Sequence, residues 1–195
     1  MDCDSILDMK KIVFISGNPG KVEEVSRYLG MPFEHKELDL PEIQSLRPEE
    51  IVREKAIRAH GEIGGSVLVE DVSFAFHVLG RLPGTFIKWF EKELGSEGLC
   101  RLLDGKDRAC TATVTYGLYD GETMLVVDGS MEGTVALSPR GANSFGWANV
   151  FIPEGMERTY AELTREEQVP IAMRRKALEK LRSIVENGSK DGRYL

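Results

Sequence analysis

The chain has 195 residues, of which 42% are hydrophobic and 29% are charged, and its 25 basic and 32 acidic side chains give a formal net charge of −7. A chain of this size buries about 70% of the surface that its unfolded form exposes, so its composition excludes a disordered protein and no disulfide or structural metal is needed for a core. The acidic balance, without any basic tract, disfavours duplex DNA or RNA as a partner.

The location of the protein is predicted from what the sequence lacks. Apolar runs such as residues 12–15 extend over only four positions, whereas a membrane-spanning helix needs about 20. The N-terminus places Asp2, Asp4 and Asp8 ahead of any lysine, which is the reverse of a secretory signal. Its three cysteines are widely spaced and form no CxxC pair, which suits reduced thiols. We therefore expect a cytoplasmic protein with no membrane partner.

The first half of the chain alternates strand and helix patterns. Residues 11–15 predict a strand, and after a turn residues 21–29 predict a helix closed by Gly30. Pro48 starts a helix that runs to about residue 60, because acids follow it at the positive end of the helix dipole. Residues 67–69 predict a buried strand that ends at Glu70 and Asp71.

The second half changes from helix to strand and back. We expect helices over residues 85–94 and 96–103, an antiparallel meander formed by residues 111–119, 124–127 and 131–137, a strand over 150–153 and a last helix over 171–186. No linker separates these elements, so the pattern predicts an N-terminal extension over residues 1–9, a single α/β domain over 10–188 and a C-terminal tail over 189–195.

The turn between the first strand and the first helix reads Ser16-Gly-Asn-Pro-Gly-Lys21. Backbone N–H groups at a helix N-terminus, with glycines that allow close approach and a lysine beside them, form a site suited to phosphate. It is not a Walker loop, because Ile15 and Val22 stand where that motif has Gly and Ser or Thr. A plain strand-to-helix turn remains an alternative interpretation.

Carboxylates that follow loops or strands form a second candidate group. Glu42 lies in a loop, and Glu70 and Asp71 follow the buried strand. Oxygen ligands of this kind suit Mg²⁺. Adjacent strand residues point to opposite faces, so we expect at most one of Glu70 and Asp71 in a given pocket, with Asp71 on the face of Val67 and Val69. A solvated turn is the alternative interpretation.

Two further features have the chemistry to contact a base. Arg174 lies within the apolar stripe of the last helix, about 40° from Leu178, and a cation placed there is expected to be paired. Two interpretations remain open: Arg174 contacts a ligand, or its side chain extends past the core so that the guanidinium reaches solvent. Phe145-Gly146-Trp147 has the aromatic pair that clamps a planar base by stacking, although core packing explains such residues equally.

The ordered set of motifs resembles the inosine triphosphate pyrophosphatases from about residue 10 to residue 186. The resemblance implies homodimeric α/β proteins with a central mixed sheet flanked by helices, dependent on Mg²⁺ with Mn²⁺ as an alternative ion. It also implies cleavage of ITP, dITP and XTP between the α and β phosphates, which releases a monophosphate and pyrophosphate. The motifs that carry it are Ser16-Gly-Asn-Pro-Gly-Lys-Val-Glu-Glu24, Leu40-Pro-Glu-Ile-Gln44, Leu68-Val-Glu-Asp71, Leu82-Pro-Gly-Thr-Phe-Ile-Lys-Trp89, Phe145-Gly-Trp147 and Thr159-Tyr-Ala-Glu162.

Each site residue takes its expected role from that resemblance. Lys21, Glu42 and Asp71 are the expected catalytic residues, since Glu42 and Asp71 would hold Mg²⁺ and Asp71 would also help to activate the attacking water. The residues expected to contact the triphosphate are Ser16, Asn18, Lys21, Lys55 and Lys88. Those expected around the base are Phe145, Gly146 and Trp147 as a wall and Arg174 at the base edge.

The chain departs from the family pattern on the base side. Ala148 stands where the family has Asp, Gln168 where it has Lys, and Ala172-Met173 where it has Ser-His, and Pro170 should break or restart the last helix. The missing groups predict altered base selectivity with catalysis retained. Unchanged inosine selectivity through backbone contacts, and a weakly active or inactive homologue that binds or senses nucleotide, remain alternatives.

Overall fold

A computed structural model describes residues 12–29, 33–142 and 146–190. These residues form strands β1 Val13–Ile15, β2 Glu34–Lys36, β3 Val67–Phe76, β4 Pro83–Gly84, β5 Ala109–Tyr119, β6 Met124–Val135 and β7 Phe151–Pro153. The helices are α1 Pro19–Leu29, α2 Pro48–Ile63, α3 Ile87–Arg101, α4 Arg165–Ile171 and α5 Met173–Lys190. Short 3₁₀ helices cover His77–Leu79, Gly146–Asn149 and Tyr160–Glu162.

The strands form one mixed sheet in the order β2-β1-β3-β5-β6-β7, with β4 added on β3. β1 pairs in parallel with β2 and with β3, and Val13 lies opposite Val67. β4 is antiparallel to β3, and β7 is antiparallel to β6. The mixed α/β fold predicted from the sequence is confirmed.

The described residues divide into two compact units. The first unit contains the described residues within ranges 1–71, 115–129 and 174–195. The second contains those within ranges 72–114 and 130–173. β3, β5 and β6 each contribute residues to both units. The predicted boundaries at residues 9 and 188 stay a prediction.

The core of the first unit lies where α2 packs on β1 and β3. α2 begins at Pro48 as predicted and ends at Ile63, beyond its predicted end near residue 60, and Gly64 caps it in the left-handed conformation (φ 70°) that favours glycine. The buried residues of this cluster are Val13, Ile15, Val52, Ala56, Ala59, Val67 and Val69. The face of β3 that carries Val67 and Val69 therefore points toward α2.

The core of the second unit contains a group of aromatic rings around Phe74. The rings of Phe74 and Trp147 stack with their centroids 4.8 Å apart, and Phe76 and Phe151 meet Phe74 edge to face. Such pairs stabilise a fold beyond the apolar area that they bury. The stack fixes the short helix Gly146–Asn149 against β3.

Several element boundaries differ from the prediction. β3 does not end at Glu70 and Asp71 but continues to Phe76, because residues 72–76 keep the alternation of a strand and bury Phe74 and Phe76. The runs predicted as separate strands at 124–127 and 131–137 form the single strand β6. The two helices predicted around residue 95 form α3, which is broken at Gly95 (φ 64°, ψ 175°).

The last predicted helix is two helices. α4 ends at Ile171, Ala172 leaves the helical conformation (ψ 125°), and α5 begins at Met173. The expected break near Pro170 is confirmed. Proline has no backbone N–H to donate, and its ring crowds the preceding turn of the helix. Ile171 is therefore not part of the stripe on α5, and α5 continues to Lys190, beyond the predicted end at residue 186. Within the part of the chain that the structure describes, no helix combines the length and apolar character needed to cross a membrane.

Candidate active site

The glycine-containing turn after β1 is built as a helix N-terminus. The Asn18 side-chain oxygen accepts a hydrogen bond from the Gly20 N–H at 3.0 Å, and the Ser16 hydroxyl accepts one from the Asn18 N–H at 3.1 Å. Asn18 therefore caps α1, which begins at Pro19, two residues before its predicted start. The cap places Lys21 in the first turn of the helix, where the helix dipole favours an anion.

Lys21 reaches a carboxylate that is almost fully buried. Its Nζ lies 2.6 Å from Oε1 of Glu70, a β3 residue whose side chain is only 3% exposed. Burial alone would raise the pKa of Glu70, but the charges of Arg174 and Lys21 and their hydrogen bonds lower it to about 2. Glu70 is therefore a permanent anion near neutral pH.

Arg174 completes this buried ionic network. Its Nε and Nη2 donate to the two oxygens of Glu70 at 3.3 and 3.1 Å, and its Nη1 donates to Glu24 at 3.2 Å. Arg174 is 5% exposed, so the expected pairing of this cation is confirmed and its guanidinium does not extend past the core to solvent. Its expected contact with the base edge stays a prediction.

Asp71 lies on the opposite face of β3, as strand alternation predicts. Its Oδ2 is buried and has no hydrogen-bond partner among the described residues. Burial raises the pKa of Asp71 to about 7; Lys55 and Lys21 act against this rise, and the negative charges of Glu42 and Glu70 add to it. Four charged side chains therefore act on one carboxylate that is poorly solvated.

Glu42 and Lys55 are brought together by the loop before α2. The Lys55 Nζ lies 2.5 Å from Oε1 of Glu42, and the side chains are 19% and 45% exposed. Lys55 projects from α2, the helix packed on the Val67 and Val69 face of β3. This placement explains why the charges of both side chains reach Asp71.

The acids present fit a divalent cation that the substrate helps to hold. Within the described ranges, no group of three His, Cys, Asp or Glu side chains has the arrangement of a metal site. Mg²⁺, however, is usually held by one or two carboxylates together with substrate phosphates. Asp71 supplies a buried oxygen with no hydrogen-bond partner and Glu42 an accessible one, so these two side chains fit that mode.

The remaining predicted site residues belong to the second unit. Lys88 is exposed on α3, with its Nζ 5.9 Å from the centroid of the Trp89 ring. Gly146 is exposed and has a positive φ of 60°. Trp147 is 8% exposed, so its ring is part of the aromatic core. Phe145 lies outside the described residues.

The residues that replace the family's polar groups have structural contacts of their own. Gln168 Nε2 donates to the carbonyl oxygens of Tyr160 and Leu163 at 2.8 and 3.3 Å. Ala148, Ala172 and Met173 are buried. None of these four side chains provides a charge.

Two acids escaped the sequence prediction. Glu24 lies three residues after Lys21 on α1, and this spacing could have indicated a shared helix face. A buried Arg174 was expected to have an anionic partner, but the sequence did not indicate which acid that partner is. The carboxylate of Glu91 lies where a side chain on Gly146 would stand close to it, and no local pattern predicts the proximity of residues so far apart in the chain.

Comparisons with known proteins show the family to which the chain belongs. The Ham1 family model matches residues 12–184. The structure is similar to a nucleoside-triphosphatase / dITP/XTP pyrophosphatase from Mycobacterium abscessus, with 30% identity, a TM-score of 0.70 and coverage of 88% of this chain and 98% of that one. A HAM1 protein from Coxiella burnetii is 26% identical with a TM-score of 0.77, over 92% and 100% of the two chains.

The Ham1 protein of Staphylococcus aureus is 21% identical with a TM-score of 0.73, over 91% and 99% of the chains, and supports the fold. The resemblance to the inosine triphosphate pyrophosphatases is confirmed, because the family model spans nearly all of the described chain and the structural relatives match over almost their full lengths. The protein belongs to the Ham1 family.

Proposed function

We propose that the substrates of this nucleoside triphosphate pyrophosphatase are the purine triphosphates ITP, dITP and XTP, and that the reaction depends on Mg²⁺, with Mn²⁺ as an alternative ion. The observation that carries the proposal is the environment of Asp71. A buried carboxylate oxygen with no hydrogen-bond partner lies within reach of the charges of Lys21, Lys55, Glu42 and Glu70. The naming of the Mycobacterium abscessus relative as a dITP/XTP pyrophosphatase supports the substrate class.

The balance of charge in the first unit supports a need for a metal. The acids Glu24, Glu42, Glu70 and Asp71 stand against three cations, Lys21, Lys55 and Arg174. A polyanionic triphosphate meets no surplus of positive charge there. Mg²⁺ bound by Glu42 and Asp71 would neutralise charge on the phosphate oxygens and polarise the bond to be cleaved.

Asp71 is the proposed base of the hydrolysis. The oxygen of a water molecule bonds to the α-phosphorus, its proton passes to the Asp71 carboxylate, and the bond from the α-phosphorus to the bridging oxygen breaks. Pyrophosphate leaves with the electron pair of that bond, and the nucleoside monophosphate remains. A buried carboxylate with an oxygen that has no hydrogen-bond partner among the described residues is suited to accept this proton.

Ser16, Asn18 and Lys21 are proposed to hold the triphosphate. Asn18 fixes the N-terminus of α1 through its bond to Gly20, and the helix dipole attracts phosphate to that end. Lys21 is 29% exposed while bound to Glu70, so its ammonium group is oriented by a buried anion. Lys55 and Lys88 are the further phosphate contacts that we propose.

Base recognition is proposed to differ from the family pattern. The proposed base contacts remain Phe145, Gly146, Trp147 and Arg174. The side chains of Ala148 and Met173, however, form no hydrogen bonds, whereas the family has Asp and His at these positions. A hydrogen bond to a charged group contributes about 1.5 to 3 kcal/mol, so its loss broadens or changes base preference. The homodimer implied by the family stays a proposal, which light scattering of the purified protein tests.

A substrate panel tests the proposed function. Pyrophosphate release is measured on ITP, XTP, dUTP, ATP and GTP with Mg²⁺ and with EDTA, beside the thermal shift that each nucleotide causes. The proposal predicts turnover of ITP and XTP that EDTA abolishes. Thermal shifts without turnover at high protein concentration would indicate a nucleotide-binding module and overturn the proposal.

A further inference from the structure

We propose that Glu91 determines base specificity, by accepting a hydrogen bond from the N–H edge of a 6-oxopurine; this inference rests on the proposed function. Glu91 lies on α3, one helical turn after Lys88. No family motif in the chain includes it.

The position of Glu91 is defined by Gly146. A Cβ atom on Gly146 would stand 3.3 and 3.5 Å from Oε1 and Oε2 of Glu91. Both carboxylate oxygens therefore face the backbone at the start of the helix Gly146–Asn149. A side chain at position 146 would crowd this carboxylate, and the positive φ of Gly146 also favours glycine there.

The wall that Glu91 contacts is rigid. Trp147 follows Gly146, stacks on Phe74 at 4.8 Å with an interplanar angle of 24°, and meets Phe151 edge to face at 5.5 Å. Trp147 and Ala148 carry no acceptor oxygen in their side chains. Glu91 is therefore the residue that provides a carboxylate beside this wall.

Glu91 is a half-buried acid without a partner in the part of the chain that the structure describes. Among the described residues, no group donates a hydrogen bond to it and no cation pairs with it. Burial raises its pKa to about 7, with no charged neighbour contributing to the rise. Half-buried carboxylates are normally hydrogen-bonded, and a donor from outside the protein would satisfy this one.

The chemistry of purines decides what that donor is. Hypoxanthine, xanthine and guanine carry an N–H at ring position 1, whereas adenine has an acceptor nitrogen there. In its ionised form the Glu91 carboxylate only accepts hydrogen bonds, so this form favours 6-oxopurines and repels the adenine edge. A carboxylate bound in this way discriminates between bases by about tenfold or more.

The experiment compares Glu91→Gln and Glu91→Leu with the control Glu93→Gln, which alters an exposed acid on the same helix. Each variant is assayed for kcat/KM with ITP and ATP and for the thermal shift caused by each nucleotide. We expect the ITP-to-ATP ratio of kcat/KM to fall about tenfold in both Glu91 variants. We expect it to stay unchanged in Glu93→Gln.

Two outcomes separate this inference from the proposed function. A ratio that stays within about twofold of the wild type in both Glu91 variants overturns the role of Glu91 while the enzyme activity stands. If the wild type cleaves no nucleotide, the proposed function fails, and the thermal shifts decide: loss of an ITP-over-ATP binding preference in Glu91→Gln supports the inference. The same preference in wild type and variant, or none in the wild type, overturns it.

Discussion

Asp71 shows at the scale of one residue how function and stability conflict. Its Oδ2 is buried without a hydrogen-bond partner among the described residues, and burying an unpaired charge is unfavourable. We predict that Asp71→Asn lowers kcat at least about a thousandfold yet leaves the melting temperature, measured without metal, equal to or above that of the wild type. Pyrophosphate release and thermal unfolding check both parts.

The control for that variant is Asp128→Asn, which changes an exposed acid paired with Lys180 at 3.5 Å. It should retain wild-type turnover, because surface ion pairs contribute little. Activity in Asp71→Asn equal to that of the control would remove Asp71 from the mechanism. A large drop in its melting temperature would show that the carboxylate serves the fold.

Arg174 and Arg175 are neighbours with opposite environments. Arg174 is buried between Glu70 and Glu24, whereas Arg175 forms an exposed pair with Glu179 at 2.6 Å. Arg174→Met leaves buried anions without their cation and should lower the free energy of unfolding by about 3 to 5 kcal/mol. Arg175→Met should cost about 1 kcal/mol or less, and denaturant unfolding measures both; equal losses would contradict the described network.

At the scale of the element, the N-terminus of α1 separates capping from phosphate binding. Asn18→Asp keeps an oxygen that accepts the Gly20 hydrogen bond, so the melting temperature should hold, while its negative charge should raise KM for ITP about tenfold or more. Asn18→Ala loses the cap and should cost about 1 kcal/mol of stability. Steady-state kinetics with unfolding curves test this, and an unchanged KM in Asn18→Asp would remove the turn from the triphosphate site.

Local patterns predicted most elements, and the misses have a common origin. Pro48 and Pro170 act through their own backbone conformations, so their effects on helix ends are visible in the sequence. β3 was predicted too short because Glu70 and Asp71 look like the end of a strand. Cations from distant segments pair with Glu70 and act on Asp71, and the charges of Lys21 and Lys55 reach these carboxylates only in the folded chain.

The candidate site was likewise predicted only in part from the sequence. The motifs predicted that Lys21, Glu42, Lys55 and Asp71 belong together, and the structure brings their charges onto Asp71. They did not predict the partners of Arg174, since those contacts join residues more than a hundred positions apart. Side-chain neighbours of that kind depend on the tertiary fold and leave no periodic trace in the sequence.

At the scale of the whole molecule, the net charge of −7 and a triphosphate substrate are reconciled by a bound cation. An acidic protein repels a polyanion at long range, and the acids of the first unit outnumber its site cations. We predict that EDTA abolishes turnover and that either Mg²⁺ or Mn²⁺ restores it. Undiminished activity in EDTA, checked by metal analysis of the protein, would contradict a metal held by Glu42 and Asp71.

The most direct test of the central claim is the identity of the products. ITP is incubated with the protein and Mg²⁺, and ³¹P NMR follows the phosphorus resonances over time. We expect inosine monophosphate and pyrophosphate in equal amounts, and loss of both signals in Asp71→Asn. Inosine diphosphate with orthophosphate, or unchanged ITP at high protein concentration, would contradict it.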